Sequence, residues 1–340
     1  MKLLENASLK ACNTLGIDAK ARYFLSLTDE ASLQEALVWA REQQQPVLVI
    51  GEGSNLVLAR DWAGLVLQIA LKGIEVLEET AETVSIAIAG GEHWHDCVTR
   101  SVQSGWYGLE NLALIPGTAG AAPVQNIGAY GIEISTLLKS VEAVSMSDGK
   151  HYAFNNADCG FRYRDSIFRG HCPNQWLITR IVLRLHKQPK TTVNYPALQE
   201  QLQQAGIEPA TATPEQVMAA VIAIRQSKLP DPAITPNAGS FFKNPTVDAA
   251  TYQRLKAEHP TLVAYPAHDD WKLAAGWLIE QAGYKGVLRD GVGTAATQAL
   301  VVVNPGYCRG DKVMAMAHEI QRAVQAAFGV TLDIEPLVVD

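Results

Sequence analysis

IPGTAGAAPVQNIGAYG, from Ile115 to Gly131, carries four glycines, two prolines, a run of small side chains and no charged group. A loop of this length that only connects elements runs over the surface and shows polar, solvated side chains. Here the glycines at 117, 120, 128 and 131 permit positive φ and let a ligand approach the backbone, so peptide N–H groups can form the binding surface. A second such turn, GEGSN from Gly51 to Asn55, follows the apolar strand-like run PVLVI. A single glycine-rich turn after a strand has an ordinary reading as a chain reversal. Two of them point to a pyrophosphate held by N–H groups rather than by lysine or arginine, and hence to a dinucleotide.

Size and charge narrow the alternatives. A chain of 340 residues exceeds what one core usually serves, so two or three compact units are expected, and 48% hydrophobic residues can fill them. A net charge of -7 gives no basic footprint for nucleic acid. The charge-free stretch from Asn111 to Ile132 is long enough to cross a bilayer, but its glycines, prolines, Gln125 and Asn126 make it too polar. No membrane association is expected. The N-terminus lacks a sustained apolar core and a small-residue cleavage site, so a cytoplasmic protein is expected. Cys12, Cys97, Cys159, Cys172 and Cys308 are scattered and include no C-x-x-C pair, so all five read as reduced structural thiols.

Periodicity sketches an α+β chain. A helix after residue 28 puts Leu33, Leu37 and Ala40 on one face, followed by strands at PVLVI, LVL and GLVLQIA. ETVSIAIAGG reads as a strand feeding a helix from about Glu92 to Ser104. A hairpin is expected around Asp148-Gly149 and a long strand at WLITRIVLRL. Thr213-Pro214-Glu215-Gln216 combines an N-cap, an N1 proline and a capping-box glutamine, with Val217, Ala220, Val221 and Ile224 on one face behind it. A helix from Asp311 to Phe328 stops at Gly329, and VTLDIEPLVV reads as a final strand carrying Glu335. The boundaries expected are 1–70, 71–205 and 206–340.

Two apparent motifs fail on geometry. In HWHDC, His93 and His95 lie two apart on a helix and point roughly 200° from each other, so they cannot share an ion, and no metal is expected. Gly291-Val-Gly293-Thr-Ala-Ala296 matches a dinucleotide fingerprint, yet a polar segment precedes it and a strand follows it, the reverse of the required order. Reactive groups gather instead in GFRYRDSIF at 160–168, in SKLPDP and NAGSFFKNP, and at Glu335. Taken singly, Arg164 could be half of a surface ion pair with Asp165, Ser240 a turn residue, and Glu335 a solvent-facing strand position.

Taken in order, NTLGID, GEGSN, GLENLALIPGTAGAAPVQNIGAYG, CGFRYRDSIF, SKLPDP, AGSFFKNP, KLAAGWLIEQAG and the terminal IEP resemble one family from end to end. It is the UDP-N-acetylenolpyruvoylglucosamine reductase family, flavoenzymes that make UDP-N-acetylmuramate for bacterial cell walls. The resemblance implies a two-lobed FAD-binding domain of the vanillyl-alcohol-oxidase (PCMH) type, residues 1–70 and 71–205, followed by a C-terminal α/β substrate-binding domain, residues 206–340. It implies noncovalent FAD held by Gly51, Glu52, Gly53, Ser54, Asn55, Pro116, Gly117, Thr118, Gly120, Asn126, Gly128 and Ala129, with NADPH as electron donor. Tyr195, in VNYPAL, resembles the tyrosine-bearing loop of the longer family subtype. With Lys228, Asn244 and Gln298 it is implied to contact the substrate, UDP-N-acetylglucosamine enolpyruvate. A monomer is expected.

The implied chemistry suits the residue types. Hydride delivered to C3 of the enolpyruvyl group leaves negative charge at C2 that spreads into the adjacent carboxylate. Arg164, matching the family's catalytic arginine, offers a planar fork to that carboxylate. Glu335 matches the catalytic glutamate, and beside a carboxylate it is expected to hold its proton and donate a hydrogen bond. Ser240 matches the proton donor to C2; a hydroxyl is a poor acid, so a neighbour or water must restore its proton. Nucleotide and substrate are implied to use one cleft in turn, giving ping-pong kinetics. A flavin oxidase of the same fold acting on an alcohol or sugar lactone would leave SFFKNP and the terminal glutamate without a task, and a non-catalytic UDP-sugar or flavin sensor would have no need of Arg164, Ser240 and Glu335.

Overall fold

The computed structural model describes residues 2–169 and 175–340, so Cys172 lies outside the described residues. Their contacts divide into two units. The first holds residues 2–7, Ala21–Glu52 and Ala63–Arg225; the second holds Ser8–Lys20, Gly53–Trp62 and Gln226–Asp340. This division differs from bounds drawn at 70 and 205: the sequence signals mark where elements begin, whereas the units are assembled from segments far apart in the chain. The helix Pro214–Lys228 accordingly belongs to the first unit as far as Arg225, and its last residues, from Gln226, fall in the second.

The first unit is built on two sheets whose central strands are buried on both faces, as at Leu65, Val66 and Leu67 and at Ile86, Ala87 and Ile88. Leu4–Ser8, Lys20–Leu27, Trp62–Ile69 and Val47–Ile50 lie side by side in that order, and the last pair is parallel, with Leu48 opposite Val66. The helix Glu30–Glu42 covers this sheet, packing Leu33, Ala36, Leu37 and Ala40 against Leu25, Leu27, Leu65 and Leu67. It starts where Asp29 accepts from the Ser32 N–H at 2.8 Å, a bond to the charged form that also holds the Asp29 carboxyl below its ordinary range.

The second sheet is antiparallel, in the order His151–Asn155, Leu138–Ser145, Trp176–His186, Thr83–Ala89, Ile74–Glu79. The hairpin foreseen at Asp148-Gly149 joins its first two strands, and Gly149 takes φ 72 there. Ile86, Ile88, Ile181 and Leu183 pack with Trp94, Cys97 and Val98 of the helix Trp94–Gln103 and with Val217 and Val221 of Pro214–Lys228. The latter helix opens with the foreseen capping box: the Thr213 N–H donates to Gln216 Oε1 at 2.9 Å and the Gln216 N–H to Thr213 Oγ1 at 3.3 Å. Burial pushes the Cys97 and Cys159 thiols up to about 12, as inert structural cysteines require.

The second unit builds on an antiparallel sheet of Asn237–Ser240, Val301–Val303, Val292–Thr294 and Leu288–Arg289. Gly291 turns the chain between the last two strands, so the fingerprint-like Gly291–Ala296 segment is a hairpin and its following strand, with no helix behind it. The helix Gly310–Phe328 buries Val313, Ala317, Ile320 and Val324 and ends at Gly329 in the left-handed region. The expected final strand is much shorter than VTLDIEPLVV. Leu337–Val339 pairs parallel to Leu56–Leu58, and before Pro336, which has no N–H to continue a ladder, Ile334 forms only an isolated bridge with Phe242.

Candidate active site

The glycine-rich loop is fixed from beneath by backbone bonds to the strand-to-helix corner. Trp94 N–H donates to the Gly117 carbonyl at 2.9 Å, Ala119 N–H to Glu92 at 2.8 Å and Gly120 N–H to Gly90 at 2.9 Å. These leave the N–H groups of Gly117 and Thr118, both buried residues, without a protein acceptor among the described residues. Buried peptide donors seek an acceptor, and an anionic pyrophosphate supplies one. The uncharged loop thus fits FAD. Gly117 takes φ 111, as foreseen, but Gly120 and Gly128 do not have positive φ. Their smallness answers close packing instead: a Cβ on Gly120 would stand 3.0 Å from the Gly90 carbonyl oxygen, and one on Gly128 3.0 Å from that of Ile132. Gly51 approaches the same loop, since a Cβ there would lie 2.6 Å from Thr118 Oγ1.

Not every expected flavin residue offers its side chain. Asn126, nearly inaccessible, donates to Glu133 Oε2 at 2.7 Å and to the Arg162 carbonyl at 3.2 Å while accepting from the Ser135 N–H at 3.2 Å. Its amide shapes the loop. Pro116 is exposed, and Ala129 pairs with Ile132 in a two-residue ladder beside Gly128. Glu52 Oε2 lies 3.8 Å from His93 Nε2, whereas His95 Nδ1 accepts from the Leu114 N–H at 3.0 Å. The two histidines therefore face different partners, and no group of three potential metal ligands occurs among the described residues.

Arg164 sits at the second corner of a two-residue turn. Arg162 and Asp165 exchange backbone bonds of 3.0 and 3.1 Å across it, and Arg164 has φ 54. Its Nη2 donates to the Gly128 carbonyl at 2.9 Å, which brings the guanidinium to the far end of the glycine-rich loop. Tyr195 reaches the same place: its ring meets Tyr130 edge-on with centroids 5.3 Å apart, and the Asn111 amide binds both the Tyr130 and Thr192 carbonyls. Sequence reasoning missed Arg225. Its Nε donates to the Leu114 carbonyl at 3.3 Å, and burial lowers its pKa while the Tyr130 hydroxyl opposes that shift. The signal available was an arginine one helical turn after Val221, three residues before Lys228.

In the second unit Ser240 and Glu335 are joined through one main-chain junction. Ser240, exposed, pairs with Val301; its neighbour Phe241 is fully buried and accepts the Glu335 N–H at 2.9 Å. Glu335 is 9% exposed and precedes the final strand, so the expectation of a solvent-facing strand position is corrected. The Phe242 to Ile334 bridge, rather than strand alternation, sets its direction. Asn55 Nδ2 approaches the Glu335 carbonyl at 3.5 Å. Gly53 has φ 65, and a Cβ there would run into the Cys12 carbonyl, so GEGSN needs glycine for its own path; Ser54 follows it, half-buried.

Lys228, Asn244 and Gln298 also gather in this unit. The Lys228 carbonyl accepts from Thr297 Oγ1 at 2.9 Å, Asn244 Oδ1 accepts from the Ala275 N–H at 2.9 Å, and a Cβ on Gly276 would stand 2.8 Å from Gln298 Oε1. Asn244 and Gln298 thus border the start of the helix Ala275–Gln281, and Lys228 is tied to Thr297, the residue before Gln298.

The comparisons agree with this architecture. Residues 21–155 match the family model of an FAD binding domain, and residues 231–339 that of the UDP-N-acetylenolpyruvoylglucosamine reductase C-terminal domain. The UDP-N-acetylenolpyruvoylglucosamine reductase of Pseudomonas aeruginosa is 48% identical over 99% of this chain and 98% of its own length. That of Chromobacterium violaceum is 45% identical over 98% of each. The crystal structure of the Thermus caldophilus enzyme shares the fold with a TM-score of 0.67 at 23% identity, covering all of this chain and 98% of its own. The chain belongs to the UDP-N-acetylenolpyruvoylglucosamine reductase family.

Proposed function

We propose that the protein reduces UDP-N-acetylglucosamine enolpyruvate to UDP-N-acetylmuramate, a step of peptidoglycan precursor synthesis, with NADPH as the electron donor. The observation that carries this reading is the junction of Ser240 and Glu335: an exposed hydroxyl and a largely buried carboxyl share Phe241 as main-chain neighbour, in a chain whose relatives are named reductases. The loops of Gly51–Asn55 and Pro116–Ala129 would hold FAD, which when bound would supply the hydride relay between NADPH and the substrate. Arg164 binds the enolpyruvyl carboxylate and meets the negative charge that develops there. Ser240 gives its proton to C2. Glu335, beside that carboxylate, donates a hydrogen bond. Lys228 places a point charge on the diphosphate, and Tyr195, Asn244 and Gln298 complete the grip on the UDP-sugar.

The reading includes a monomer working in the cytoplasm, with no nucleic acid or membrane partner; four free thiols among the described cysteines fit a reducing compartment. NADPH and substrate occupy one cleft in turn. The test is steady-state turnover at several fixed concentrations of each substrate, with the product identified by mass. Parallel double-reciprocal lines and formation of UDP-N-acetylmuramate are expected. Intersecting lines, or NADPH oxidation without that product, would contradict the proposal.

A further inference from the structure

Arg164 stands in a conformation that its residue type disfavours. Tyr163 and Arg164 form the corners of the turn closed by Arg162 and Asp165, and of the two only Arg164 has positive φ, the type II arrangement in which glycine or asparagine is preferred. An arginine persists there only where its surroundings over-determine it, and such strain collects at functional sites.

Those surroundings come from the flavin loop and from one more arginine. Ser166 Oγ donates to the Val124 carbonyl at 2.6 Å, Asn126 Nδ2 to the Arg162 carbonyl at 3.2 Å, and Arg164 Nη2 to the Gly128 carbonyl at 2.9 Å. Arg169 adds the bond that reaches the strained residue's own peptide. Its Nη1 donates to the Arg164 carbonyl at 3.2 Å and to Gln125 Oε1 at 2.9 Å. One guanidinium nitrogen thus spans the flavin loop and the peptide plane that follows Arg164, and a charged donor holds that carbonyl more firmly than a neutral one.

We propose that Arg169 is a positioning residue for Arg164, fixing the turn so that the Arg164 guanidinium is presented in register with the flavin loop. This rests on the reading of Arg164 as the arginine that binds the enolpyruvyl carboxylate. Misplacement of a reacting group by about 1 Å costs on the order of 10²-fold in rate. Removing the Arg169 tie should therefore slow the step that uses Arg164 and leave flavin content unchanged.

The experiment measures flavin reoxidation by UDP-N-acetylglucosamine enolpyruvate in single turnover, for the wild type, Arg169→Met, Arg164→Ala and the double variant, each with its flavin content determined by absorbance. Arg169→Met is expected to slow reoxidation roughly 10- to 100-fold, Arg169→Lys to restore part of the loss, and the double variant to be no slower than Arg164→Ala. Wild-type reoxidation in Arg169→Met overturns the proposal. So does a full further loss in the double variant, which would mean that Arg169 acts independently of Arg164. Should Arg169→Met not retain flavin, Arg169→Gln decides by the same criteria. A wild-type rate in Arg164→Ala would instead refute the functional reading on which the proposal stands, so the two failures are distinct.

Discussion

Replacing Gly51 by alanine tests the flavin cradle with a single methyl group. The new Cβ would lie 2.6 Å from Thr118 Oγ1 and 3.4 Å from its Cγ2, about 0.8 Å short of ordinary contact at the oxygen. The Thr118 backbone cannot retreat, because Gly117 and Ala119 on either side are bonded to Trp94 and Glu92. Its β-branched side chain has few rotamers and would have to turn out of its buried position. Overpacking of this kind costs about 1–3 kcal/mol, which corresponds to roughly a 5- to 150-fold rise in the FAD dissociation constant at 1.4 kcal/mol per tenfold. Quenching of flavin fluorescence on titrating the apoprotein measures that constant. In a Thr118→Ala background the close oxygen is gone, so Gly51→Ala should add little further loss. An unchanged constant for Gly51→Ala in the otherwise native protein would refute the claim that these two loops hold the flavin.

Three other outcomes follow from the same arrangement. Ser240→Ala should leave flavin reduction by NADPH near the native rate and slow reoxidation by the enolpyruvyl substrate by roughly 10² to 10⁴-fold, measured by stopped-flow absorbance with substrate binding checked separately; an unaffected reoxidation would remove Ser240 from the mechanism. Heat or acid should release all the flavin into the supernatant, since neither glycine loop contains a histidine or cysteine to attach it, and flavin left on the precipitated chain would contradict noncovalent binding. His95 accepts the Leu114 N–H through Nδ1, and burial lowers its pKa below 6.5. The folded protein therefore takes up this proton less readily than the unfolded chain: the stabilisation is complete above 6.5 and is lost as pH falls from there through the folded pKa. Flavin retention should weaken as pH falls below 6.5, and His95→Asn, which keeps an acceptor that cannot be protonated there, should flatten that dependence; an equal slope in the variant would exclude His95 as its origin.

The parts of this protein that sequence made legible are those governed by local rules. Leu33, Leu37 and Ala40 lie on the buried face of their helix, Thr213 and Gln216 close a capping box, and Gly329 ends the last long helix, because periodicity and capping act over a few residues. The ordered motifs made the family legible as well. What stayed hidden depends on partners distant in the chain. Glu335 is largely buried because Phe241 and Phe242 receive its segment, nearly a hundred residues away, so strand alternation gave the wrong exposure. Gly120 and Gly128 are small because Gly90 and Ile132 crowd them, which no φ argument foresees. Arg169 reaches the Gln125 side chain and Arg225 the Leu114 carbonyl, both in another segment, and nothing in the composition around them signals this.

The central claim is that electrons pass from NADPH through FAD to the enolpyruvyl double bond. Anaerobic spectroscopy of the purified protein tests it most directly. The account predicts a yellow protein whose flavin absorbance bleaches on adding one equivalent of NADPH and returns on adding UDP-N-acetylglucosamine enolpyruvate, with UDP-N-acetylmuramate formed in equal amount. Flavin that NADPH reduces but that stays bleached in the presence of the enolpyruvyl substrate, recovering its colour only when oxygen is admitted, would contradict it.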